Sequence, residues 1–193
     1  MSEDNDFSRL VSLACHDLRT PLATVHGFAR TLVRGGGLEP PNDRYVEMID
    51  AASAQLAELL DELSLAARIE SGRYDPTLRE ADTLELARAA AARLEEERVD
   101  VSGSGARVET DAEAVERGLA ALFQSALRHG GLDSVTVEVD GLEVRLSPVT
   151  AASAPVVLGD DLRDLGAAVA ARLVARLGGS LSVEGETLTI RLA

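Results

Sequence analysis

The sequence predicts an α+β protein, a long helical hairpin followed by an α/β sandwich, and three observations support this fold class. Apolar residues recur with alternating steps of four and three in two long N-terminal stretches. A segment rich in glycine and proline, which no helix can cross, separates the stretches. Farther along, short segments of period two alternate with helical ones. We therefore expect a hairpin over residues 1–72, a linker over 73–80 and a second domain over 81–193.

The two stretches define two apolar seams. The first seam consists of Val11, Cys15, Leu18, Leu22, Val25, Ala29 and Leu32. The second seam consists of Tyr45, Ile49, Ala52, Leu56, Leu59, Leu63 and Ala66. This spacing is typical of helices that pack at a shallow angle in a left-handed bundle. Because two helices alone bury too little apolar surface to be stable, the pattern predicts a homodimer that forms a four-helix bundle.

The connection between the two helices has clear turn chemistry. Three consecutive glycines and Pro40-Pro41 lie within residues 34–43, so the first helix ends there. Asn42 or Asp43 is expected to cap the second helix, since a short polar side chain can accept from the first free backbone N–H groups.

One histidine of the first helix has the surroundings of a nucleophile. His16 follows Cys15 and so lies off the first seam, where a partner can reach it. An imidazole titrates near neutrality, and the adjacent Asp17 can fix its tautomer and stabilise charge that forms on attack. Arg19 supplies a permanent cation, and Thr20 supplies a hydroxyl one turn beyond. These groups suit reversible phosphoryl transfer at nitrogen.

Other residues of the first helix are expected to be structural. Pro21 removes one backbone hydrogen bond and should bend the helix near the histidine. Cys15 is interpreted as a small core residue. His26 is interpreted as structural, because no acidic partner is near it in the sequence.

The second half alternates helices and strands. Helices are predicted over 82–98, capped by Asp82, over 111–128, capped by Thr110 or Asp111, and over 161–177. Short strands are predicted at 99–101, 107–109, 134–140, 142–146, 181–183 and 188–192. Three helices that cover one face of an antiparallel or mixed sheet make an α/β sandwich.

Composition excludes several classes of function. The net charge is −14, there is no lysine, and both halves are acidic, so direct nucleic-acid binding is not expected. A single cysteine excludes an internal disulfide and suits a reducing cytoplasm. The chain has no apolar run long enough to span a bilayer, and its polar start is not a signal peptide. A cytoplasmic location is therefore expected.

Residues 16–22 resemble the H-box of two-component sensor histidine kinases, and the likeness extends through Gly27, Leu32 and the helix ending at 65–70. The resemblance implies that His16 accepts the phosphoryl group and that Asp17 is its acid/base partner. It also implies that Thr20 orients water when a partner is dephosphorylated. The second half is similar to the ATP-binding domain of these kinases, particularly over 165–180.

The nucleotide boxes depart from that family. Two asparagines about one turn apart normally hold Mg²⁺ and phosphates, and the matching segment 121–129 has Ala121 and Ser125 at those places. Gln124 is out of phase by one residue, roughly 100° around the helix. A helix with alanine and serine there lacks the oxygen ligands that Mg²⁺ prefers.

The remaining boxes are also altered. The adenine-binding box should read Asp-x-Gly-x-Gly, yet residues 147–152 contain neither acid nor glycine. The triphosphate-facing segment carries Asp160, Asp161 and Asp164, which would repel the anion. We interpret these acids as a cap and first-turn acids of the last helix, and Arg128 and His129 as dipole partners at a helix end. The domain is therefore expected to be a docking surface or brace that does not use ATP.

The hypothesis that follows is a dimeric histidine phosphotransferase of a bacterial phosphorelay. It resembles proteins that keep a kinase architecture without ATP binding. His16 would attack the phosphoaspartate of one receiver domain and pass the phosphoryl group to a second, while Arg19 and Thr20 contact its oxygens. The chain would need no cofactor, because the Mg²⁺ belongs to the receiver. Two alternatives remain: an ATP-dependent histidine kinase core with an unusual nucleotide site, and a non-catalytic dimeric scaffold that binds a response regulator.

Overall fold

The computed structural model describes residues 2–94 and 98–193, with only the backbone described for residues 2–10. The chain divides into two compact units, one ending at Tyr74 and the other comprising Asp75–Ala193. The first is a helical hairpin and the second combines a mixed sheet with helices. The predicted α+β fold class is confirmed. Among the described residues, no helix has both the length and the apolarity that a membrane span requires.

Helix α1 is Ser2–Gly35 and helix α2 is Asn42–Glu70. Helix α1 continues unbroken through Pro21, because one proline removes a single backbone hydrogen bond and leaves the others in place. The predicted cap of α2 is wrong. Asn42 is already helical, the residue before it makes no side-chain cap, and Asp43 accepts from the N–H of Arg44 at 2.7 Å.

The hairpin itself buries small and polar residues rather than its large apolar ones. Among the side chains that the structure describes, the buried ones are Cys15 and Ala29 on α1, and Ser53 and Ala67 on α2. Large side chains of both seams remain exposed: Leu18, Val25, Leu32, Tyr45, Ile49, Leu56, Leu59 and Leu63. The apolar stripe is therefore wider than the surface that one hairpin can cover.

The second unit contains seven strands and four further helices in its described part. The strands are β1 (Arg79–Asp82), β2 (Val99–Gly105), β3 (Arg107–Thr110), β4 (Val135–Gly141), β5 (Glu143–Ser147), β6 (Ser180–Glu184) and β7 (Thr187–Arg191). The helices are α3 (Thr83–Ala92), α4 (Ala112–Gly130), α5 (Ala154–Val157) and α6 (Leu165–Arg176). Five strands form a sheet in the order β2-β4-β5-β7-β6, in which only β2 and β4 are parallel. Strands β1 and β3 form a separate antiparallel pair.

One face of the five-stranded sheet packs against helices. Alternate strand residues such as Val137 and its register partner Leu146 are fully buried, and so is Phe123 of α4. The residues between them, such as Thr136 and Glu138, are exposed. Burial on one face and exposure on the other is the expected signature of a sandwich.

The predicted helix starts are confirmed in part. Asp82 caps α3 by accepting from two backbone N–H groups at 2.9 and 3.2 Å, and Asp111 caps α4. The last helix starts at Leu165 rather than at Asp161, because Asp164 takes the cap position by accepting from the N–H of Ala167 at 3.1 Å.

Other boundaries differ from the sequence prediction. Helix α3 ends at Ala92 instead of reaching residue 98, and residues 95–97 of the predicted helix lie outside the described part. Strand β1 was not predicted, and its first two residues fall within the predicted linker 73–80. Helix α5 was also not predicted, since four residues are too few to show a helical period.

Candidate functional site

His16 is strongly exposed on α1. Its side chain keeps 78% of its accessible surface, whereas the preceding Cys15 is buried. The expectations that Cys15 packs inside the hairpin and that His16 lies off the seam are confirmed. An approaching protein can reach the imidazole from solvent.

The Asp17 carboxylate lies beside one ring nitrogen of His16. The Nδ1 atom of His16 lies 3.3 Å from Oδ1 of Asp17, whose side chain is 69% exposed. An ionised carboxylate can only accept a hydrogen bond, so the tautomer that uses this contact carries its proton on Nδ1 and has its lone pair on Nε2. When Nε2 attacks phosphorus, the ring becomes cationic and its Nδ1–H bond to Asp17 becomes charge-assisted. Asp17 can therefore orient the nucleophile and stabilise its charge.

Arg19 is paired across the hairpin. Its Nη2 donates to Oδ1 of Asp61 on α2 at 2.6 Å, and both side chains are about half exposed. The sequence reasoning missed Asp61. No local pattern connects residues 42 positions apart, and α2 carries several acidic residues among which the sequence does not single out Asp61.

Thr20 completes the exposed group on α1. It lies four residues beyond His16, so both side chains project from nearly the same face of the helix. Its backbone carbonyl accepts from the hydroxyl of Thr24 at 3.1 Å. The structure thus brings the four predicted residues, His16, Asp17, Arg19 and Thr20, to one exposed region of α1, which we call the His16 patch.

The second histidine of α1 has an acidic partner after all. Nδ1 of His26 lies 3.2 Å from Oδ1 of Asp50 and 3.3 Å from the hydroxyl of Ser53, both on α2. The expectation that no acid lies near His26 is therefore wrong, because the acid comes from the other helix. The Ser53 hydroxyl donates to the carbonyl of Ile49 at 2.5 Å, so its oxygen remains an acceptor for His26. This half-buried group links the helices, which agrees with a structural role.

The positions of the nucleotide-binding asparagines do not suit Mg²⁺ or phosphate. Ser125 has 0% exposure, and its hydroxyl has no hydrogen-bond partner among the residues that the structure describes. Ala121 is half-buried, and Gln124 is exposed and out of phase. A hard cation needs several oxygen ligands in one shell, and this face of α4 does not present them. Within the described residues, no group of three or more His, Cys, Asp or Glu side chains is placed to hold a metal ion.

The segment after β5, where the family's adenine pocket would begin, packs into the core. Val149, Val156 and Val157 are buried there. The chain turns back after α5, where the N–H groups of Asp160 and Asp161 both donate to the carbonyl of Pro155. Apolar side chains therefore fill this part of the domain. Asp160 and Asp161 precede the cap of α6 rather than lying in its first turn, which corrects that part of the prediction.

Both carboxylate oxygens of Asp164 contact groups of the second unit itself. One carboxylate oxygen caps α6, and the other lies 3.1 Å from Nε2 of His129 and 3.7 Å from Arg128, both in the last turn of α4. His129 and Asp164 are largely buried. This contact joins the end of one helix to the start of another, as the cap interpretation expects.

Comparison with known proteins identifies the hairpin. Residues 8–72 match the model of the His Kinase A (phospho-acceptor) domain. A search of curated proteins found no match to this chain.

Three solved structures share the fold. Full-length ShkA in complex with AMPPNP matches at 21% identity and a TM-score of 0.67, over 96% of this chain and 46% of that one. Acinetobacter baumannii histidine kinase AdeS matches at 19% identity and a TM-score of 0.59, over 92% and 97% of the two chains. The cytoplasmic segment of histidine kinase QseC matches at 10% identity and a TM-score of 0.53, over 74% and 93%.

These matches show that the chain shares the fold of histidine kinase cores, and they do not support the closer likeness to histidine phosphotransferases that the sequence indicated. The chain spans less than half the length of ShkA. Its residues 8–72 are similar to the His Kinase A (phospho-acceptor) domain, and the chain as a whole has the fold seen in ShkA and AdeS.

Proposed function

We propose that this chain carries phosphoryl groups on His16 in two-component signalling. The observation that carries the proposal is the exposed imidazole of His16, held through Nδ1 by Asp17, inside the segment that matches a phospho-acceptor domain. An open ring with a free Nε2 lone pair can meet a phosphoryl donor presented by another protein or domain.

The chemistry follows from the His16 patch. Nε2 attacks phosphorus in line with the leaving oxygen, so the new N–P bond forms as the P–O bond of the donor breaks. Asp17 stabilises the cationic ring through Nδ1–H, and the proton leaves to solvent as the neutral phosphoimidazole forms. Arg19 and Thr20, three and four residues beyond His16 on α1, can contact the phosphoryl oxygens. The reverse reaction returns the group to an acceptor carboxylate.

We infer that the donor is the phosphoaspartate of a receiver domain rather than ATP. Two observations support this source. Ser125 is fully buried at a position where a Mg²⁺ ligand would be needed. The valine side chains of the segment after β5 are buried in the core. In such a transfer the Mg²⁺ belongs to the receiver, and this chain needs no cofactor of its own.

We also infer that the active form is a homodimer. Eight large apolar side chains of the two seams are exposed along the hairpin. Exposed large apolar side chains repeated along both helices favour a protein interface, and a second copy supplies a matching face. Four helices then form one bundle, and the off-seam position of His16 keeps its ring accessible to receivers.

The test is transfer from a charged receiver. Receiver domains encoded in the same genome are phosphorylated with labelled acetyl phosphate and incubated with the full chain. We expect label on the peptide that contains His16 and none in the His16→Gln chain. Label that persists in His16→Gln would contradict the proposal. So would a His16→Gln chain that still controls receiver phosphorylation normally, which is the behaviour of a scaffold.

A second candidate is an ATP-dependent histidine kinase core. The observation in its favour is the similarity over nearly the whole chain to ShkA, whose structure holds AMPPNP. Calorimetric titration of the full chain with Mg·AMPPNP separates the candidates. Saturable binding in the micromolar range supports the kinase, whereas no binding up to millimolar nucleotide supports transfer between receivers.

A further inference from the structure

The ion pair between Arg19 and Asp61 joins the two helices at the level of the His16 patch. Nη2 of Arg19 lies 2.6 Å from Oδ1 of Asp61, and the two side chains are 49% and 54% exposed. On α1, the positions three and four residues away from Arg19 are Cys15, His16, Leu22 and Ala23. None of these is acidic, so the carboxylate that orients Arg19 comes from α2.

Arg19 is also within reach of a group bound to His16. Residues three apart on a helix are separated by about 4.5 Å along the axis and about 60° around it, and their side chains are neighbours. A phosphoryl group carries about −1.5 to −2 charges at neutral pH and offers three acceptor oxygens. A guanidinium can bind two of these oxygens at once, which makes phosphate a strong competitor for Arg19.

We propose, on the basis of the proposed function, that Asp61 is a positioning residue for Arg19. Asp61 holds the guanidinium of Arg19 against α2 while His16 is unmodified. Once His16 is phosphorylated, Arg19 binds the phosphoryl oxygens instead of Asp61. An ion pair this exposed is weak, so a dianion on the neighbouring side chain can break it. Phosphorylation of His16 therefore breaks the ion pair that links α1 to α2. The contact between the two helices then depends on whether His16 is phosphorylated.

The experiment uses the full chain with phosphoramidate as a donor that needs no partner protein. The P–N bond of phosphoramidate breaks, an N–P bond to Nε2 of His16 forms, and ammonia leaves with the proton that the ring releases. Asp61→Asn keeps the shape of the side chain and removes its charge, so Arg19 is free before the reaction. We expect the rate of His16 phosphorylation to rise about two- to threefold, the size of one exposed ion pair. Asp61→Glu should restore the wild-type rate.

A double-mutant cycle isolates the route through Arg19. Arg19→Ala should lower the rate, and adding Asp61→Asn to it should change nothing further, because Asp61 then has no guanidinium to hold. The matched control is Glu58→Gln, which removes another exposed charge three residues earlier on α2. It should leave the rate unchanged. An equal effect of Asp61→Asn with and without Arg19 would overturn the proposal.

A spectroscopic readout separates this role from a merely structural one. The NMR signal of the Arg19 Nε–H group should shift when His16 becomes phosphorylated, and the shift should be smaller in Asp61→Asn, where the pair is already broken. A structural role predicts a lower melting temperature and a lower rate together, whereas positioning predicts a lower melting temperature with a higher rate. An Arg19 signal that does not move on phosphorylation would contradict the inference. Loss of labelling specificity for His16 would instead contradict the proposed function.

Discussion

The hairpin and the second unit differ in where their large apolar side chains lie, exposed in the first and buried in the second. In the hairpin, the buried positions are small or polar, such as Ser53 and Ala67, and the leucines of the second seam are exposed. In the second unit, Phe123, Leu146 and Ile190 are completely buried. The hairpin therefore depends on a surface outside itself, while the second unit has a core of its own.

The same contrast holds for polar chemistry. The imidazole of His16 is 78% exposed, and the Ser125 hydroxyl, at the place of a nucleotide ligand, has no exposed surface. The candidate nucleophile of the hairpin is therefore open to solvent, whereas Ser125 of the second unit is packed.

The largest effect is expected at the second seam. Changing Leu56 and Leu59 together to Asp places four charges in the bundle of the proposed dimer and removes four buried leucines, a loss of about 6 kcal/mol or more. Sedimentation should show a monomer at micromolar concentration. The control Leu162→Asp, at an exposed leucine of the second unit, should leave the dimer intact. A dimer that survives the double change would show that the seam is not the interface.

The core of the second unit gives the next effect. Phe123→Ala should lower the free energy of unfolding of that unit by about 3–5 kcal/mol, because a fully buried ring is lost and a cavity remains. Denaturant unfolding measures the loss, and Gln124→Ala, at the exposed neighbour, should change it by less than about 0.5 kcal/mol. Phosphorylation of His16 by phosphoramidate should persist in both chains. Its loss in Phe123→Ala would mean that the hairpin depends on the second unit.

A smaller effect is expected at Asp17. Asp17→Asn keeps an acceptor oxygen but removes the charge that stabilises the cationic ring, so transfer to His16 should slow about 10- to 100-fold. Quench-flow measurement with a charged receiver gives the rate. The matched control Asp43→Asn, an acid near the start of α2, should leave the rate unchanged. An unchanged rate in Asp17→Asn would remove Asp17 from the mechanism.

The smallest effect is expected at Ser125. Ser125→Ala removes a buried hydroxyl that has no partner, and the stability should stay the same or rise by up to about 1 kcal/mol. Ser125→Asn adds atoms to a packed site and should cost about 1–3 kcal/mol. It should not create Mg·AMPPNP binding. Binding gained by Ser125→Asn alone would show that the site is open.

Local patterns in the sequence were enough for the hairpin and for the His16 patch. Seam spacing and turn chemistry act over a few residues, so they predicted both helices and the exposure of His16. The contacts between helices could not be predicted. Asp61 and Asp50 meet α1 only after the hairpin closes, and this depends on the rotation of α2, which places its small residues inside and the second seam outside.

In the second unit, too, local patterns did not predict the features that depend on distant contacts. Alternation predicted the β4–β5 hairpin around Gly141, whose φ of +60° suits glycine. Cap preferences predicted Asp82 and limited the cap of α4 to Thr110 or Asp111, of which the fold uses Asp111. Strand β1 and helix α5 were missed because both are only four residues long and depend on partners distant in sequence. The start of α6 was placed too early, since three aspartates compete for one cap and only the fold selects Asp164.

The most direct test offers the full chain two donors side by side, a receiver charged with labelled acetyl phosphate and Mg·ATP labelled at the γ position. The label on the His16 peptide is then measured over the same interval. The account predicts label from the receiver, none from ATP, and none from either donor in His16→Gln. Label on His16 from ATP alone would contradict it and would make the chain an ATP-dependent kinase core.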